Sequence, residues 1–403
     1  MSSIIFGSMP LRIRIMPDKF KGTLTALAAA DAIAQGWRSA RSQDHLELLP
    51  ISDGGDGFGE LIGRALGAES RRTPTVNAAH EPLEATWWWH PATRTAIVES
   101  ARIIGLSLLP AGQYHPFALD TFGLGPVIRA VRQLEARRCL IGIGGSATND
   151  GGFGLARSLG WQFRNPNDEP ILKWTDLGTL ARIQAPVAAP QDEAAIQPHG
   201  HEPVEFIVAV DVQNPLLGPE GCSRIYGPQK GLKPDDFALA EACLGQLARV
   251  VALHHQKDGA RQPGAGAAGG LGFGLQAFLG ASLEPGFALF AQVTRLNDFL
   301  AGADLVVTGE GAIDASTLMG KGVGELAKIC RNHQIPCLGL AGIATDRDRL
   351  RGVFTRLLAL TPDLTSPENA KTQASLWLSR AAAQAAQTWP FPATTPPCTS
   401  APK

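Results

Sequence analysis

The chain has 403 residues, of which 44% are hydrophobic and 18% charged, and its formal net charge is −1. This length exceeds that of one ordinary domain and predicts two, while the apolar content excludes an intrinsically disordered protein. The balanced charge argues against a nucleic-acid partner, which would require clustered lysine and arginine.

The sequence shows no membrane or export signal. No apolar run reaches the roughly 18–20 residues that a membrane helix needs. Residues 1–20 lack the basic start and long apolar core of a signal peptide, and Met9 is an alternative start. The six cysteines are scattered without a CxxC pair, which favours buried free thiols over disulfides or metal ligands. We therefore expect a cytoplasmic protein without a membrane partner.

Strand and helix patterns alternate along the chain. Thr25 is predicted to cap a helix after the first strand, and Ser366 with Pro367 to open a long C-terminal helix. The strings ATWWWH and TAIVES predict an antiparallel pair. Other apolar runs predict strands at 11–16, 46–52, 139–143, 205–210, 303–309, 336–342 and 355–361. This alternation predicts an α/β architecture with mostly parallel sheets.

Two internal segments are predicted to be loops. They cover residues 186–203 and 254–272. The Pro- and Thr-rich tail at 389–403 has the composition of a disordered segment.

Four predicted strands end in loops rich in small, acidic and amide side chains. The loops are SDGGDG (52–57), GGSATNDGG (144–152), DVQNPL (211–216) and TGEGAID (308–314). Because ligands bind outside the carboxyl ends of parallel strands, we expect these loops to form one cleft. Carboxylates suit Mg²⁺, and glycine backbones and helix N-termini suit phosphate, so the loops predict a site for both. Each loop taken alone is also compatible with a tight turn in which an aspartate caps a helix.

Other short motifs give weaker signals. The Walker pattern fails at Ala315 and Gly322, the dinucleotide fingerprint is only half met at 142–147, and no GxSxG elbow is present. The histidines show no zinc-ligand spacing. Lysines directly precede glycine in the strings FKG, QKG and GKG, which favours anion contacts over solvated surface positions for some of them.

Longer strings resemble the bacterial type I glycerate kinases across roughly residues 12–345. They read PDKFKGTLTA, DGGDGFGE, IGIGGSATNDGG, DVQNPLLGPEGCSRIYGPQKG, GAGAAGGLG and VVTGEGAIDASTLMGKG. The resemblance implies transfer of a phosphate from ATP to glycerate, dependent on Mg²⁺ and giving 2-phosphoglycerate. It also implies a flavodoxin-like domain built from residues 1–72 and 288–403, with a second α/β domain at 73–287 inserted. A monomer or homodimer is expected.

The chain departs from the family pattern at several positions. Lys19 stands where the family usually has serine, and Ser316 where it usually has glutamine. Asp56 and Phe58 replace the glutamate and threonine of a Glu-Gly-Thr string. These departures bear on the exact substrate rather than on the fold.

The residue roles follow from phosphoryl transfer, in which positioning and charge stabilisation dominate. Phosphate or nucleotide binding is predicted for Lys19, Lys21, Gly144, Gly145, Ser146 and Thr148, with the substrate carboxylate as an alternative partner of the last four. Glycerate binding is predicted for Asn149, Asp211 and Asn214, and metal binding for Asp53, Asp56 and Glu310. Asp314 is the first candidate for orienting or deprotonating the attacking hydroxyl, Asp211 is the second, and Lys321 neutralises transferred charge. Each carboxylate is also suited to capping a helix.

Three other functions remain open from the sequence. The enzyme could phosphorylate another small hydroxy acid or give 3-phosphoglycerate. A non-catalytic glycerate sensor would keep the pocket without turnover. An oxidoreductase dependent on a nicotinamide cofactor is the third possibility.

Overall fold

The computed structural model describes residues 9–186, 203–318, 320 and 322–389. The chain divides into a terminal unit, residues 1–51 and 300–403, and an inserted unit, residues 52–299. Lys321, the first eight residues, most of the predicted loop at 186–203 and residues 390–403 of the predicted tail lie outside the described residues. Trp389 was predicted to belong to the disordered tail, but its ring is buried in the core of the terminal unit.

The strands and helices have the following bounds in chain order. The strands are β1 (Arg12–Ile15), β2 (His45–Leu48), β3 (Glu69–Val76), β4 (Pro82–His90), β5 (Thr95–Glu99), β6 (Arg138–Gly142), β7 (Gln162–Arg164), β8 (Arg182–Gln184), β9 (Glu205–Val210), β10 (Ser282–Pro285), β11 (Leu305–Ile313), β12 (Cys337–Ala344) and β13 (Arg356–Thr361). The helices are α1 (Ala26–Ala40), α2 (Phe58–Leu66), α3 (Ala101–Ile104), α4 (Leu124–Gln133), α5 (Phe153–Ser158), α6 (Cys222–Ile225), α7 (Gly227–Lys230), α8 (Phe237–His255), α9 (Ala267–Leu279), α10 (Gly286–Val293), α11 (Leu296–Leu300), α12 (Gly322–Asn332), α13 (Pro367–Thr372) and α14 (Ala374–Thr388).

The terminal unit contains a five-stranded parallel sheet. Its strands lie in the order β2-β1-β11-β12-β13, with Ile13 paired to Leu46 on one side and Leu305 on the other. Counted within the unit, this is the 2-1-3-4-5 order of flavodoxin-like sheets. The prediction of a flavodoxin-like domain built from both chain ends is therefore confirmed.

Helices α1 and α14 pack against each other in this unit. A Cβ at Gly36 would lie 1.9 Å from the carbonyl oxygen of Ser379, so the two helices approach closely where this glycine stands. Thr25 caps α1 as predicted, because its hydroxyl accepts a hydrogen bond from the Ala28 amide.

The C-terminal helix is divided, contrary to the prediction of one long helix. Ser366 does cap α13, its hydroxyl accepting from the Asn369 amide, but α13 ends after six residues. The backbone of Gln373 leaves the helical region at φ −127° and ψ 39°, and α14 begins after it. Nothing in the apolar spacing of this stretch marks that break.

The inserted unit contains a six-stranded mixed sheet in the order β10-β9-β6-β5-β4-β3. Strands β5, β6, β9 and β10 are parallel, whereas β3 and β4 are antiparallel. The predicted antiparallel pairing of ATWWWH with TAIVES is confirmed, with Trp88 opposite Ile97. Pro74 lies in β3 at the sheet edge, where its missing amide hydrogen is tolerated.

Both faces of β4 are covered by protein. Trp87 and Trp89 belong to the main core of the inserted unit, and Trp88 points to the opposite face. Cβ atoms at Gly59 and Gly63 of α2 would lie 2.3 and 2.7 Å from the Trp88 ring. The two glycines therefore let α2 lie directly on the indole.

Residues 52–72 and 288–299 group with the inserted unit in the structure. The predicted domain boundaries had placed these residues in the flavodoxin-like domain. Helix α2 packs on β4 and β5, and α10 packs on β9, which accounts for this grouping.

The stretch Pro234–His255 is long and apolar enough to cross a membrane by length and composition alone. The sequence reading had found no run of that length, because polar residues interrupt it. Its helix α8 buries one side, including Leu244, Leu247 and Val251, against the segment Trp174–Thr179. This burial is typical of a core helix in a globular unit.

The cysteines in the described part of the chain are free and buried, as predicted. They are Cys139, Cys222, Cys243, Cys330 and Cys337.

Candidate functional site

The predicted loops belong to both units. The predicted loops at 52–57, 144–152 and 211–216 lie in the inserted unit. The predicted loop at 308–314 lies in the terminal unit, where residues 308–313 belong to strand β11 instead. Each unit therefore has a candidate site of its own.

In the inserted unit, the loop after β6 lies directly against the segment 52–57. The Gly144 amide donates to the carbonyl oxygen of Gly54 at 3.2 Å, and a Cβ at Gly144 would lie 2.6 Å from the Gly55 Cα. Gly145 has φ +78°, and a Cβ there would lie 2.2 Å from the Asp56 carboxylate. Much of the small-residue character of this loop thus makes room for the chain's own backbone and for Asp56.

The loop after β6 makes a second close backbone contact, which again depends on a glycine without a side chain. Gly269 has φ +71°, and a Cβ there would lie 2.0 Å from the carbonyl oxygen of Thr148. The Gly151 amide donates to the Gly269 carbonyl oxygen at 3.1 Å. The glycine-rich segment 264–272 therefore packs against the loop after β6.

A buried lysine lies at the centre of this loop. Lys230, at the end of α7, is 7% exposed, and its ammonium donates to Ser146 Oγ at 3.1 Å and to the Thr148 carbonyl oxygen at 2.7 Å. Burial lowers the pKa of Lys230 to about 8, because desolvation disfavours the charged amine. The cluster therefore brings predicted binding residues to a cation that the sequence analysis left unassigned.

Two fully buried side chains of the loop keep unpartnered atoms. Asn149 Nδ2 donates to Ser223 Oγ at 2.9 Å, whereas its Oδ1 accepts no hydrogen bond from the described residues. Thr148 Oγ1 likewise has no partner there. Buried polar atoms normally have hydrogen-bond partners, so both atoms are suited to a ligand.

Asp150 stabilises the loop through hydrogen bonds from Thr121 and Gly154. Its Oδ2 accepts from the Thr121 amide at 2.9 Å, the Thr121 hydroxyl at 2.8 Å and the Gly154 amide at 2.9 Å. Burial, with the nearby charge of Asp120, raises the pKa of Asp150 to about 6. This carboxylate is committed to holding the start of α5.

The acidic residues of the segment 52–57 have different surroundings. Asp53 Oδ1 accepts from the Gly55 amide at 3.3 Å, and the Asp56 side chain is exposed. Glu99, buried at the end of β5, accepts from the Gly57 and Gly59 amides at 2.9 and 3.1 Å. Glu99 therefore caps α2, while Asp53 and Asp56 remain the metal candidates of this unit.

The loop after β9 carries Asp211 and Asn214. Asp211 is exposed at the carboxyl end of the strand. Asn214 Nδ2 donates to the Glu220 carbonyl oxygen at 2.8 Å, and its Oδ1 accepts from the Tyr226 hydroxyl. The amide of Asn214 thus holds its own loop together in this structure.

In the terminal unit, the strand order reverses between β1 and β11, which is where open α/β sheets bind ligands. The Asp18 amide donates to the Gly309 carbonyl oxygen at 2.8 Å, and the Thr308 hydroxyl donates to the Met16 carbonyl oxygen at 2.7 Å. These bonds bring the segment after β1 alongside the middle of β11. Lys19 is half-buried there, and Lys21 is exposed.

Glu310 and Asp314 are joined through Thr317. The Thr317 hydroxyl donates to Glu310 Oε1 at 2.9 Å and accepts from the Asp314 amide at 3.2 Å. Asp314 Oδ1 accepts from the Ser316 amide at 2.7 Å, so it also caps the short turn Ala315–Leu318. The Thr317 hydroxyl thus contacts the carboxylate of Glu310 and the backbone of Asp314, whereas the Asp314 carboxylate contacts the Ser316 amide.

The carboxylate donors fit a weakly held Mg²⁺ rather than a protein cage. Among the described residues, no group of three or more His, Cys, Asp or Glu side chains is placed to hold a metal. Mg²⁺ usually takes one or two carboxylates together with waters and phosphate oxygens. In the inserted unit Asp53 and Asp56 on one turn are donors of that type, and in the terminal unit Glu310 is one.

Several residues of these clusters received no specific role from the sequence. They are Lys230, Ser223, Glu99, Asp18 and Thr317. Only Lys230 carried a signal, since it precedes a glycine in the string GPQKG. The others became recognisable only through their burial and their hydrogen bonds.

Comparison with known proteins agrees with this architecture. A profile of the glycerate kinase family matches residues 13–390. A glycerate kinase of Halalkalibacterium halodurans is 37% identical over 82% of this chain and 85% of its own length. The glycerate 2-kinase of Escherichia coli K12 is 35% identical over 83% of this chain and 86% of its own length.

A solved structure extends the agreement to three dimensions. The crystal structure of a candidate glycerate kinase 2 from Salmonella typhimurium LT2 superposes with a TM-score of 0.77 at 32% identity. The superposition covers 94% of this chain and 98% of that one. The profile match and the identities over most of the chain show that this protein belongs to the glycerate kinase family.

Proposed function

We propose that this protein transfers the γ-phosphate of ATP to the 2-hydroxyl group of glycerate, giving 2-phosphoglycerate and ADP, with Mg²⁺ as the metal. Membership of the glycerate kinase family supports the reaction class, and the relative named glycerate 2-kinase supports the position. The observation that carries the proposal is the cluster around Lys230, where a buried cation donates to a loop that also carries two buried, unpartnered polar atoms. Such a cluster suits a small hydroxylated anion.

The proposed chemistry requires positioning and one proton transfer. The glycerate oxygen forms a bond to the γ-phosphorus while the bond from that phosphorus to the leaving oxygen of ADP breaks. Asp314 takes the proton of the attacking hydroxyl. Lys19, Lys21 and Lys321 offset the negative charge of the transferred group.

When bound, Mg²⁺ would neutralise negative charge on the phosphate oxygens. Asp53 and Asp56 are the residues of the inserted unit proposed as metal ligands, and Glu310 is the candidate ligand of the terminal unit. Thr317 fixes the Glu310 carboxylate through a direct hydrogen bond.

The test is ADP release with Mg-ATP and D-glycerate, with the product position read by phosphorus NMR. Phosphate on the 2-hydroxyl is expected. Phosphate on the 3-hydroxyl would contradict the proposed position. Release with another hydroxy acid but not with glycerate would contradict the proposed substrate.

Thr317→Val is expected to lower kcat by about 10-fold, with smaller changes in KM. Valine keeps the shape of threonine but loses a donor to Glu310 and an acceptor for the Asp314 amide, each worth about 1 kcal/mol. Steady-state kinetics measures the effect. Thr179→Val, at an exposed threonine of the inserted unit, is the control, and equal losses in both variants would contradict the proposed role.

A further inference from the structure

We propose that Lys230 binds the carboxylate of the acceptor and that Asn149 and Thr148 bind its hydroxyl groups. This assignment rests on the proposed function, because it identifies the anion as the hydroxy acid rather than the nucleotide. It makes the loop after β6 and the end of α7 the acceptor subsite.

The first argument is the missing counter-ion. Lys230 is 7% exposed, and both of its hydrogen-bond acceptors, Ser146 Oγ and the Thr148 carbonyl oxygen, are neutral. Across the described residues, Lys230 forms no ion pair with a carboxylate. Asp150 attracts it electrostatically, but the Asp150 oxygens already accept from Thr121 and Gly154. Burying an ammonium without an anion costs desolvation free energy. A bound carboxylate would offset this cost, which the free protein retains.

The second argument is hydrogen-bond capacity. An ammonium has three N–H donors, and the two observed acceptors use two of them. The third is available to a carboxylate oxygen, and a hydrogen bond between two charged groups is among the stronger kinds. The cluster therefore has one strong donor left for an anion.

The third argument separates a hydroxy acid from a phosphate. Asn149 Oδ1 can only accept a hydrogen bond, and it is fully buried and unpartnered within the described chain. A fully ionised phosphate group has no proton to donate to it, whereas an alcohol does. Thr148 Oγ1 is also unpartnered and can donate or accept. A ligand with both a carboxylate and hydroxyl groups satisfies all three side chains.

Glycerate binding is expected to weaken as the pH rises above about 8. Burial lowers the pKa of Lys230 to about 8, so the free protein loses this charge in that range. The groups facing it do not titrate there, because burial raises the pKa of Cys222 to about 12 and that of Asp150 to about 6. Isothermal titration calorimetry should show the Kd for D-glycerate rising up to ~10-fold per pH unit above this value. A Kd that stays constant from pH 7 to 9.5 would contradict the role of Lys230.

The decisive experiment compares Lys230→Gln and Lys230→Met with the wild-type protein by calorimetry. The titrants are D-glycerate, glyceramide, which lacks the carboxylate, and a non-hydrolysable Mg-ATP analogue. Both variants should raise the Kd for glycerate by about 10- to 150-fold and leave the Kd for the nucleotide analogue within about threefold. Both should also lose the wild-type preference for glycerate over glyceramide. Lys233→Gln, at an exposed lysine three residues away, is the control and should leave all three affinities unchanged.

Other results would overturn the assignment. Weakened nucleotide binding with unchanged glycerate binding would make Lys230 a phosphate ligand. Unchanged affinities for all three titrants would remove Lys230 from the site, and retained nucleotide binding would show that the variant is folded. Failure of the wild-type protein to bind glycerate would also reject the assignment. Glycerate binding without ADP release would reject the proposed function alone.

Discussion

Asp314→Asn is expected to lower kcat by about 10²- to 10⁴-fold, because the amide cannot take the proton of the attacking hydroxyl. The substitution removes the negative charge of the side chain but keeps an oxygen that can accept a hydrogen bond. Asp314 Oδ1 accepts from the Ser316 amide at 2.7 Å, and an asparagine oxygen can accept the same bond. The cap of the turn Ala315–Leu318 should therefore survive, and the thermal midpoint should change little.

Steady-state kinetics gives the check. Asp348→Asn, at an exposed aspartate of the same unit, is the control and should retain wild-type kinetics. If Asp314→Asn keeps kcat within about threefold, Asp314 only caps the turn, and Asp211 becomes the candidate base.

The architecture of the terminal unit could be predicted because its strands and helix starts have local sequence patterns. Its strand order could be predicted because long strings resemble a known family. Apolar runs marked β1, β11, β12 and β13, and Thr25 marked the start of α1. The strand order came from the family resemblance, since spacing alone does not determine which strands pair. The break between α13 and α14 was missed, because it appears only in the backbone angles of Gln373.

The site could be predicted as a set of loops but not as a set of contacts. The glycines at 144 and 145 looked like room for a phosphate, yet their close neighbours in the structure are Gly55 and Asp56. Lys230 looked like one of several lysines before glycine, because burial cannot be read from the string GPQKG. It meets Ser146 across 84 positions of sequence. Tertiary packing, rather than local pattern, distinguishes it from an exposed lysine such as Lys21.

Asp150→Ala is expected to destabilise the protein by about 3–5 kcal/mol, because three buried donors lose their acceptor together. The donors are the amide and hydroxyl of Thr121 and the amide of Gly154, all within 2.9 Å of Oδ2. Differential scanning calorimetry should show the transition of the inserted unit falling by roughly 6–20 °C. Asp31→Ala, at an exposed position of α1, is the matched control and should leave that transition in place.

The loss of stability in Asp150→Ala should decrease as the pH rises. Burial and Asp120 raise the pKa of Asp150 to about 6, so the folded protein holds this proton more tightly than the unfolded chain. Between about pH 4 and 6 the unfolded state therefore binds fewer protons, and the stability contributed by Asp150 falls as the pH rises through that window. The difference between wild-type protein and Asp150→Ala should be larger at pH 5 than at pH 7.5. A difference that grows with pH would show that the ionised carboxylate, rather than the protonated one, is the form this environment favours.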